Sequence, residues 1–204
     1  MINGGFHIQR KEILRKMIQT SSYLYDKGLV PGKSGNISIR YKKDEFERIA
    51  VTPSGLSLKS LVEKDIVIVD MEENKIYGDN KTPTSELLMH LKIYKVRNDI
   101  NAIVHTHSPI ATGFAFTGEK IERIEGFGPI KEQFIPYIDY YNPGSVKLAD
   151  AVSKGLEKTD VVVLKEHGIV SIGKNLDEAS LLAEFIEESA KTQFVKKVLM
   201  ANRL

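Results

Sequence analysis

Two histidines, His105 and His107, lie one residue apart at the end of the apolar stretch NAIVHTH. The stretch is predicted to form a strand, and side chains two residues apart on a strand point to the same face of the sheet. The two imidazoles would therefore stand side by side as a chelating pair. A third candidate, His167, comes after the apolar run VVVL and directly before Gly168. Three histidines with one open coordination position are the pattern of a catalytic metal site.

Any single histidine has an alternative role as a core or surface residue with both ring nitrogens hydrogen-bonded. His7 and His90 are assigned to this class, and His90 borders the apolar stripe of its own predicted helix. For the pair His105 and His107, the pattern alone supports metal binding and a structural role about equally. His167 adds little by itself, because a sequence does not show its distance from the pair.

Glu86 is a candidate acid–base residue in the first turn of the predicted helix TPTSELLMHLKIYKVR. A carboxylate there complements the helix dipole, and the neighbouring hydroxyl groups are natural helix caps. In the functional alternative, the helix start binds an anion, Thr84 and Ser85 add hydroxyl groups, and Glu86 is a base beside the anion. Taken alone, the pattern favours the structural role.

Two loops of small residues, PGKSGN over 31–36 and TPSG over 52–55, are candidates for holding phosphate. Such loops offer free backbone N–H groups to phosphate oxygens. The stretch GLVPGKS is not a nucleotide-binding P-loop, because only three residues separate Gly28 from Gly32 and the segment follows a helix. Ordinary turns explain both loops equally well.

The elements that must position these residues mix hairpin-like strand pairs with helices. A first amphipathic helix over 13–25 ends near Gly28, and a long final helix begins after an N-cap at Asn175. The predicted strands are NISIRY, RIAVT, DIVIVD, KIYG, NAIVHTH and the two halves of DVVVLKEHGIVSIG, and further helices are predicted at SPIATGFAF and GSVKLADAVSKGLEK. This order predicts one α/β or α+β layered domain over 1–204, with a mainly antiparallel central sheet flanked by helices.

The composition narrows the classes of function. The chain has 204 residues, 42% of them hydrophobic, and its 29 basic and 27 acidic residues are nearly balanced, so no nucleic-acid partner is expected. Without cysteine there are no disulfides, thiolate ligands or cysteine nucleophile, which suits a reducing, cytoplasmic location. No apolar run reaches membrane-spanning length and no signal peptide is evident, so no membrane partner is expected.

Five segments together carry a family resemblance, in the order GKSGNISIR, VTPSG, TPTSELLMH, AIVHTHS and EHGIVSIG. With them the chain resembles the class II aldolase/adducin head family, and within it the fuculose-1-phosphate aldolases. The resemblance extends from the first helix to the last. It implies a mainly antiparallel α/β fold and a fourfold-symmetric homotetramer with active sites between subunits.

The resemblance also implies roles for individual residues. One zinc ion per subunit is held by His105, His107 and His167, and Glu86 matches the acid–base carboxylate. The loops implied to hold the substrate phosphate contribute Gly35, Asn36, Ser54, Gly55, Thr84 and Ser85. Family aldolases often carry a tyrosine after the H-x-H helix, where this chain has Phe127 instead, which leaves Tyr140 and Tyr141 as candidates for the proton donor.

The implied activity is reversible cleavage of a ketose 1-phosphate to dihydroxyacetone phosphate and a short aldehyde such as lactaldehyde. The bond cleavage leaves negative charge next to a carbonyl group, and zinc would stabilise it as an enediolate.

Two enzymatic alternatives belong to the same family. Pentulose-phosphate 4-epimerases usually carry aspartate at the position of Glu86, whereas methylthioribulose-1-phosphate dehydratases keep the glutamate and the zinc. A third alternative is a non-catalytic, adducin-like interaction module, against which the intact histidines and Glu86 argue.

Overall fold

A computed structural model describes residues 3–78, 80–124 and 132–201, with side chains from residue 10 onward. One sheet of eight strands runs through its centre. The strands are β1 (Asn36–Lys43), β2 (Phe46–Val51), β3 (Val67–Val69), β4 (Lys75–Tyr77), β5 (Ala102–Thr106), β6 (Tyr137–Ile138), β7 (Val161–Leu164) and β8 (Gly168–Gly173). The α-helices are α1 (Asn3–Asp26), α2 (Leu87–Val96), α3 (Pro109–Thr117), α4 (Val146–Gly155) and α5 (Leu176–Ala201).

The strands follow the order β4-β3-β2-β1-β5-β8-β7-β6. Neighbouring strands pair antiparallel except β6 and β7, which are parallel. The predicted layered α/β fold with a mainly antiparallel sheet is therefore confirmed, and the single domain over 1–204 stays a prediction. Among the described residues, no helix is both long and apolar enough to cross a lipid bilayer.

Helices cover both faces of the sheet, and the central strand β5 contributes to both cores. Val104 of β5 belongs to the core formed with α1, α3 and α5, whereas Ile103 belongs to the core formed with α2 and α4. Because side chains alternate along a strand, His105 lies on the same face as Ile103. Residues that contact His105 must therefore come from the α2 side or from the adjacent strands.

The end of α1 fixes part of the backbone near the candidate histidines. Gly28 adopts a left-handed conformation with φ of +74°, which confirms it as the residue that turns the chain away from the helix. The N–H of Leu29 donates to the carbonyl of Leu24 at 2.9 Å and closes the last turn. The carbonyl of Leu29 then accepts a hydrogen bond of 3.0 Å from the N–H of His107.

The start of α2 differs from the prediction. The helix begins at Leu87, so Glu86 is its N-cap residue, and its predicted place in the first helical turn is wrong. Residues 82–84 instead run beside residues 52–54, with backbone hydrogen bonds of 2.9 and 3.1 Å between the segments. This tertiary pairing keeps the chain out of the helix through Thr84, and a turn at residues 85–86 follows. The carboxylate of Glu86 thereby lies beside Asn36 of β1 and His105 of β5.

Candidate metal centre

The pair of histidines on β5 is held by strands on both sides. His105 lies opposite Asn36 of β1 and opposite Val170 of β8, and its side chain is fully buried. His107 follows the end of β5 and is partly exposed. The two ring centroids are 4.8 Å apart, so the imidazoles stand side by side as predicted.

His167 reaches the pair through the tight turn between β7 and β8. Glu166 adopts a left-handed conformation with φ of +58°, and the N–H of His167 donates to the carbonyl of Leu164 at 3.1 Å. At Gly168 the two backbones come so close that an added Cβ would lie 2.2 Å from the carbonyl oxygen of Thr106. Glycine is therefore required for β8 to pack against β5 at this point, and the packing places His167 beside the other two histidines.

We expect Gly168→Ala to destabilise the protein by about 2–3 kcal/mol and to weaken metal binding, because the new methyl group collides with backbone atoms. A matched control is Gly113→Ala in α3, where an added Cβ meets nothing within 4 Å. This change should raise stability by about 0.5–1 kcal/mol, since alanine favours a helix over glycine. Urea denaturation measures both effects, and equal stability of the two variants would contradict the close contact at Gly168.

The three imidazoles converge through their Nε2 atoms. The Nε2 atom of His105 lies 3.0 Å from that of His107 and 3.3 Å from that of His167. Potential ligand atoms of the three residues all lie within 4.8 Å of one another. Nitrogen ligands about 2.05 Å from a tetrahedral ion are separated by about 3.3 Å, so the observed separations suit such an ion.

Hydrogen bonding defines which nitrogen of His105 is available as a ligand. Its Nδ1 atom lies 2.9 Å from the carbonyl oxygen of Ile169, and since a carbonyl only accepts, Nδ1 carries the proton. In the neutral ring, Nε2 then presents a lone pair to the other two histidines. A proton on Nε2 of His105 can form a hydrogen bond to one neighbouring nitrogen, whereas a metal cation can bind the Nε2 lone pairs of all three histidines at once. The donor set therefore fits a metal ion.

Glu86 supplies a carboxylate to the same cluster. Its side chain is buried, with Oε2 at 3.2 Å from Nε2 of His105 and Oε1 at 3.7 Å from Nε2 of His167. The side-chain amide of Asn36 donates to Oε2 at 2.9 Å, whereas Oε1 is buried without a hydrogen-bond partner. One oxygen is thus anchored, and the other is free to exchange a proton or approach a cation.

The electrostatics of the cluster favour metal binding at neutral pH. Burial and neighbouring imidazoles lower the pKa of His107 to about 3, and the same causes lower that of His167 to about 4, so both rings are neutral. Burial opposes a charge on His105 or Glu86, but their mutual attraction outweighs it, which raises the pKa of His105 and lowers that of Glu86. A bound cation would replace the proton on which this attraction depends.

His90 takes part in the site although sequence reasoning assigned it to packing. It is fully buried, and its Nε2 atom lies 2.6 Å from Oδ1 of Asn36, the residue that anchors Glu86. The available signal was its position four residues after Glu86, on the same face of α2. Its contact with a residue of β1 cannot be read from that spacing.

The predicted phosphate loop over 52–55 and the predicted phosphate residues Thr84 and Ser85 are neighbours in space. The backbone hydrogen bonds that delay the start of α2 join them, and the hydroxyl of Thr84 accepts the N–H of Glu86 at 3.3 Å. Their small, exposed residues are Ser54, Gly55 and Ser85. This pairing forms one polar edge that adjoins the carboxylate of Glu86.

The other predicted phosphate loop, over 31–36, reaches the same region at the start of β1. At Gly35, φ is +74° and an added Cβ would lie 2.7 Å from the carbonyl oxygen of His105, so only glycine fits there. Asn36 follows at the start of β1 with its side chain buried. Its amide nitrogen has a second N–H beyond the one that Glu86 accepts.

The contacts described for the two tyrosines considered as proton donors are with other residues. Phe127 falls outside the described residues. Tyr140 is exposed, with its hydroxyl 3.4 Å from Oδ1 of Asn142, and Tyr141 packs against the core beneath α2 and α4. The role of either tyrosine stays a prediction.

Comparisons with known proteins place this geometry in context. The family model described as Class II Aldolase and Adducin N-terminal domain matches residues 15–194. The chain is 41% identical over 182 residues to an L-fuculose phosphate aldolase of Methanococcus maripaludis, covering 89% of this chain and 96% of the relative. It is 43% identical over 177 residues to the protein of that name from Methanocaldococcus jannaschii, covering 87% and 93%. A solved L-fuculose 1-phosphate aldolase superposes with a TM-score of 0.84 at 30% identity, covering 92% of this chain and 87% of the other.

Proposed function

The chain belongs to the Class II Aldolase and Adducin N-terminal domain family, and we propose that it is the zinc-dependent member that cleaves a ketose 1-phosphate of the fuculose 1-phosphate type. As a class II aldolase it is a metal-dependent lyase. The proposed products of the reversible cleavage are dihydroxyacetone phosphate and a short aldehyde such as lactaldehyde. The observation that carries the proposal is the convergence of three imidazole nitrogens beside a buried carboxylate.

We assign the metal ligands as His105, His107 and His167, with one ion per chain. Three neutral nitrogen donors favour zinc over the oxygen-seeking ions magnesium and calcium. The bound ion supplies Lewis acidity, which stabilises the negative charge that cleavage leaves on the substrate oxygens.

Glu86 is assigned the proton transfer at the carbon next to the substrate carbonyl. In the cleavage direction the acid form donates a proton to that carbon, and in the synthesis direction the carboxylate removes it. The unpartnered Oε1 atom suits this task, because no hydrogen bond has to be broken before it accepts a proton. Oε2 stays bound to Asn36 and keeps the carboxylate in place.

The phosphate group of the substrate is assigned to the polar edge beside Glu86. The residues are those expected from the sequence, Gly35, Asn36, Ser54, Gly55, Thr84 and Ser85. Backbone N–H groups and hydroxyls would bind the phosphate oxygens, and the second amide proton of Asn36 would join them. Binding energy from this remote group orients the reacting carbon atoms next to Glu86.

The proposed assembly is a fourfold-symmetric homotetramer with active sites between subunits. The C-terminal half of α5 supports association, because it exposes large apolar side chains that water solvates poorly. They are Phe194, Val195, Val198, Leu199 and Met200, each at least 42% exposed.

The decisive experiment incubates the purified protein, with and without added zinc, separately with fuculose 1-phosphate, methylthioribulose 1-phosphate and a pentulose phosphate. NMR spectra of the products identify the reaction. We expect dihydroxyacetone phosphate and lactaldehyde from the first substrate, and no activity after EDTA treatment until zinc is restored. Water elimination from the second substrate alone would show a dehydratase, epimerised pentulose phosphate would show an epimerase, and no turnover with an empty metal site would show an interaction module.

A further inference from the structure

A line of buried polar side chains connects β1 to α2 behind Glu86. Asn36 and Ser38 alternate onto the same face of β1, and His90 and Tyr94 are one and two helical turns beyond Glu86 on α2. His90, Ser38 and Tyr94 are fully buried. Buried polar groups cost stability unless they are hydrogen-bonded, so the partners of these side chains decide what the line can do.

The line is a continuous hydrogen-bond chain. Tyr94 Oη lies 2.9 Å from Ser38 Oγ, and Ser38 Oγ lies 2.7 Å from Nδ1 of His90. On the other side of the ring, Nε2 of His90 lies 2.6 Å from Oδ1 of Asn36. The amide nitrogen of Asn36 completes the chain with its 2.9 Å bond to Glu86.

The charge of Glu86 fixes the direction of every bond in this chain. A carboxylate only accepts, so Asn36 must turn its amide nitrogen toward Glu86 and its oxygen toward His90. That oxygen also only accepts, so His90 is protonated on Nε2 and accepts at Nδ1. Ser38 therefore donates to His90 and accepts from Tyr94, whose alternative acceptor, the carbonyl of Asn101, is farther away at 3.4 Å.

The environment keeps each member in the protonation state that this direction requires. Burial lowers the pKa of His90 to about 3, so the ring stays neutral and retains one donor and one acceptor. Burial also raises the pKa of Tyr94, so its hydroxyl stays a donor. Rotation of the Asn36 amide would break its bond to Glu86 and would require every other link of the chain to reverse its direction.

We propose that Tyr94, Ser38 and His90 are positioning residues that act through Asn36 to hold Glu86 as an oriented carboxylate facing the three histidines. This inference rests on the proposed function of Glu86 in proton transfer. It assigns a role in catalysis to three residues whose described side-chain hydrogen bonds reach neither the metal ligands nor the carboxylate of Glu86 directly. A packing role alone would require only their volume, whereas this role requires their donors and acceptors.

The first test compares His90→Gln with His90→Leu. Glutamine retains an N–H donor near the position of Nε2, and leucine has none. For His90→Leu we expect kcat to fall about 10–100-fold with KM for fuculose 1-phosphate nearly unchanged, and for His90→Gln we expect recovery to within about fivefold of the original kcat. Exchange of solvent deuterium into dihydroxyacetone phosphate, followed by NMR, should show the same order, because it reports proton transfer alone. Equal losses in both variants, or a change confined to KM, would overturn the proposal.

The second test does not depend on activity. NMR of ¹⁵N-histidine-labelled protein should show His90 protonated at Nε2 and unprotonated at Nδ1, and observation of the opposite tautomer would refute the chain whatever the substrate is. A protein with the expected tautomer but no aldolase activity would refute the proposed function instead.

If His90→Leu does not fold, Ser38→Ala and Tyr94→Phe replace it, with the expected loss larger for Ser38→Ala because it removes a direct donor to His90. The matched control is Ser189→Ala, a buried hydroxyl that donates to the carbonyl of Phe185 within α5, which should leave kcat unchanged. A Ser38→Ala protein with the kcat of this control would also overturn the proposal.

Discussion

Glu86→Gln should reduce turnover by about 10²–10⁴-fold while the protein keeps its fold and its metal ion, because positioned acid–base groups contribute rate factors of this size. Glutamine has nearly the same shape as glutamate, and its carbonyl oxygen still accepts the amide of Asn36. What disappears is the proton exchange at Oε1, which has no hydrogen-bond partner in the structure. Steady-state kinetics with fuculose 1-phosphate, metal analysis and circular dichroism measure the three parts of this result.

The matched control is Glu187→Gln, which changes another buried carboxylate to its amide. Both oxygens of Glu187 accept backbone N–H groups at the start of α3, at 3.1 and 2.8 Å from Ile110 and Ala111. Loss of the charge and of one of the two acceptor oxygens there should cost about 1–3 kcal/mol of stability and leave kcat within about twofold. If Glu86→Gln turned over as fast as this control, the proton would have to be exchanged by another group.

Local patterns were sufficient to predict the elements of the fold. Alternation along the predicted strand placed His105 and His107 on one face. The close approach of β8 to β5 at Gly168 was not predicted. The start of α2 was predicted wrongly because its cause is not local. Residues 82–84 have helix-compatible sequence, but pairing with residues 52–54 removes them from the helix.

Which residues meet at the site could not be predicted from their separation along the sequence. His105 and His167 are 62 positions apart, and their contact depends on which strands neighbour β5. Family resemblance supplied that information, whereas physical reasoning on the sequence left metal binding open. His90 shows the opposite case, since its one-turn spacing from Glu86 was visible but its partner on β1 was not.

His107→Ala should yield a folded protein that purifies with less than about one tenth of the original metal content and loses turnover by about 10²–10³-fold. His107 is the most suitable ligand to remove. It follows the end of β5 and is partly exposed, whereas His105 is fully buried and also bonded to Ile169 through Nδ1. Truncation at position 107 therefore opens space toward solvent with little cost to the core.

The same argument predicts what the remaining residues can do without His107. Two imidazoles and a carboxylate still face one another, so zinc binding should weaken by several orders of magnitude but remain measurable by titration. Added imidazole should fill the space left by the side chain and restore part of both the metal content and the turnover.

His90→Gln is the matched control, because it changes a buried histidine near the site that contributes no ligand, and its metal content should match that of the unmodified protein. Full metal content in His107→Ala would mean that the ion binds elsewhere, and the assignment of the three histidines would have to be withdrawn.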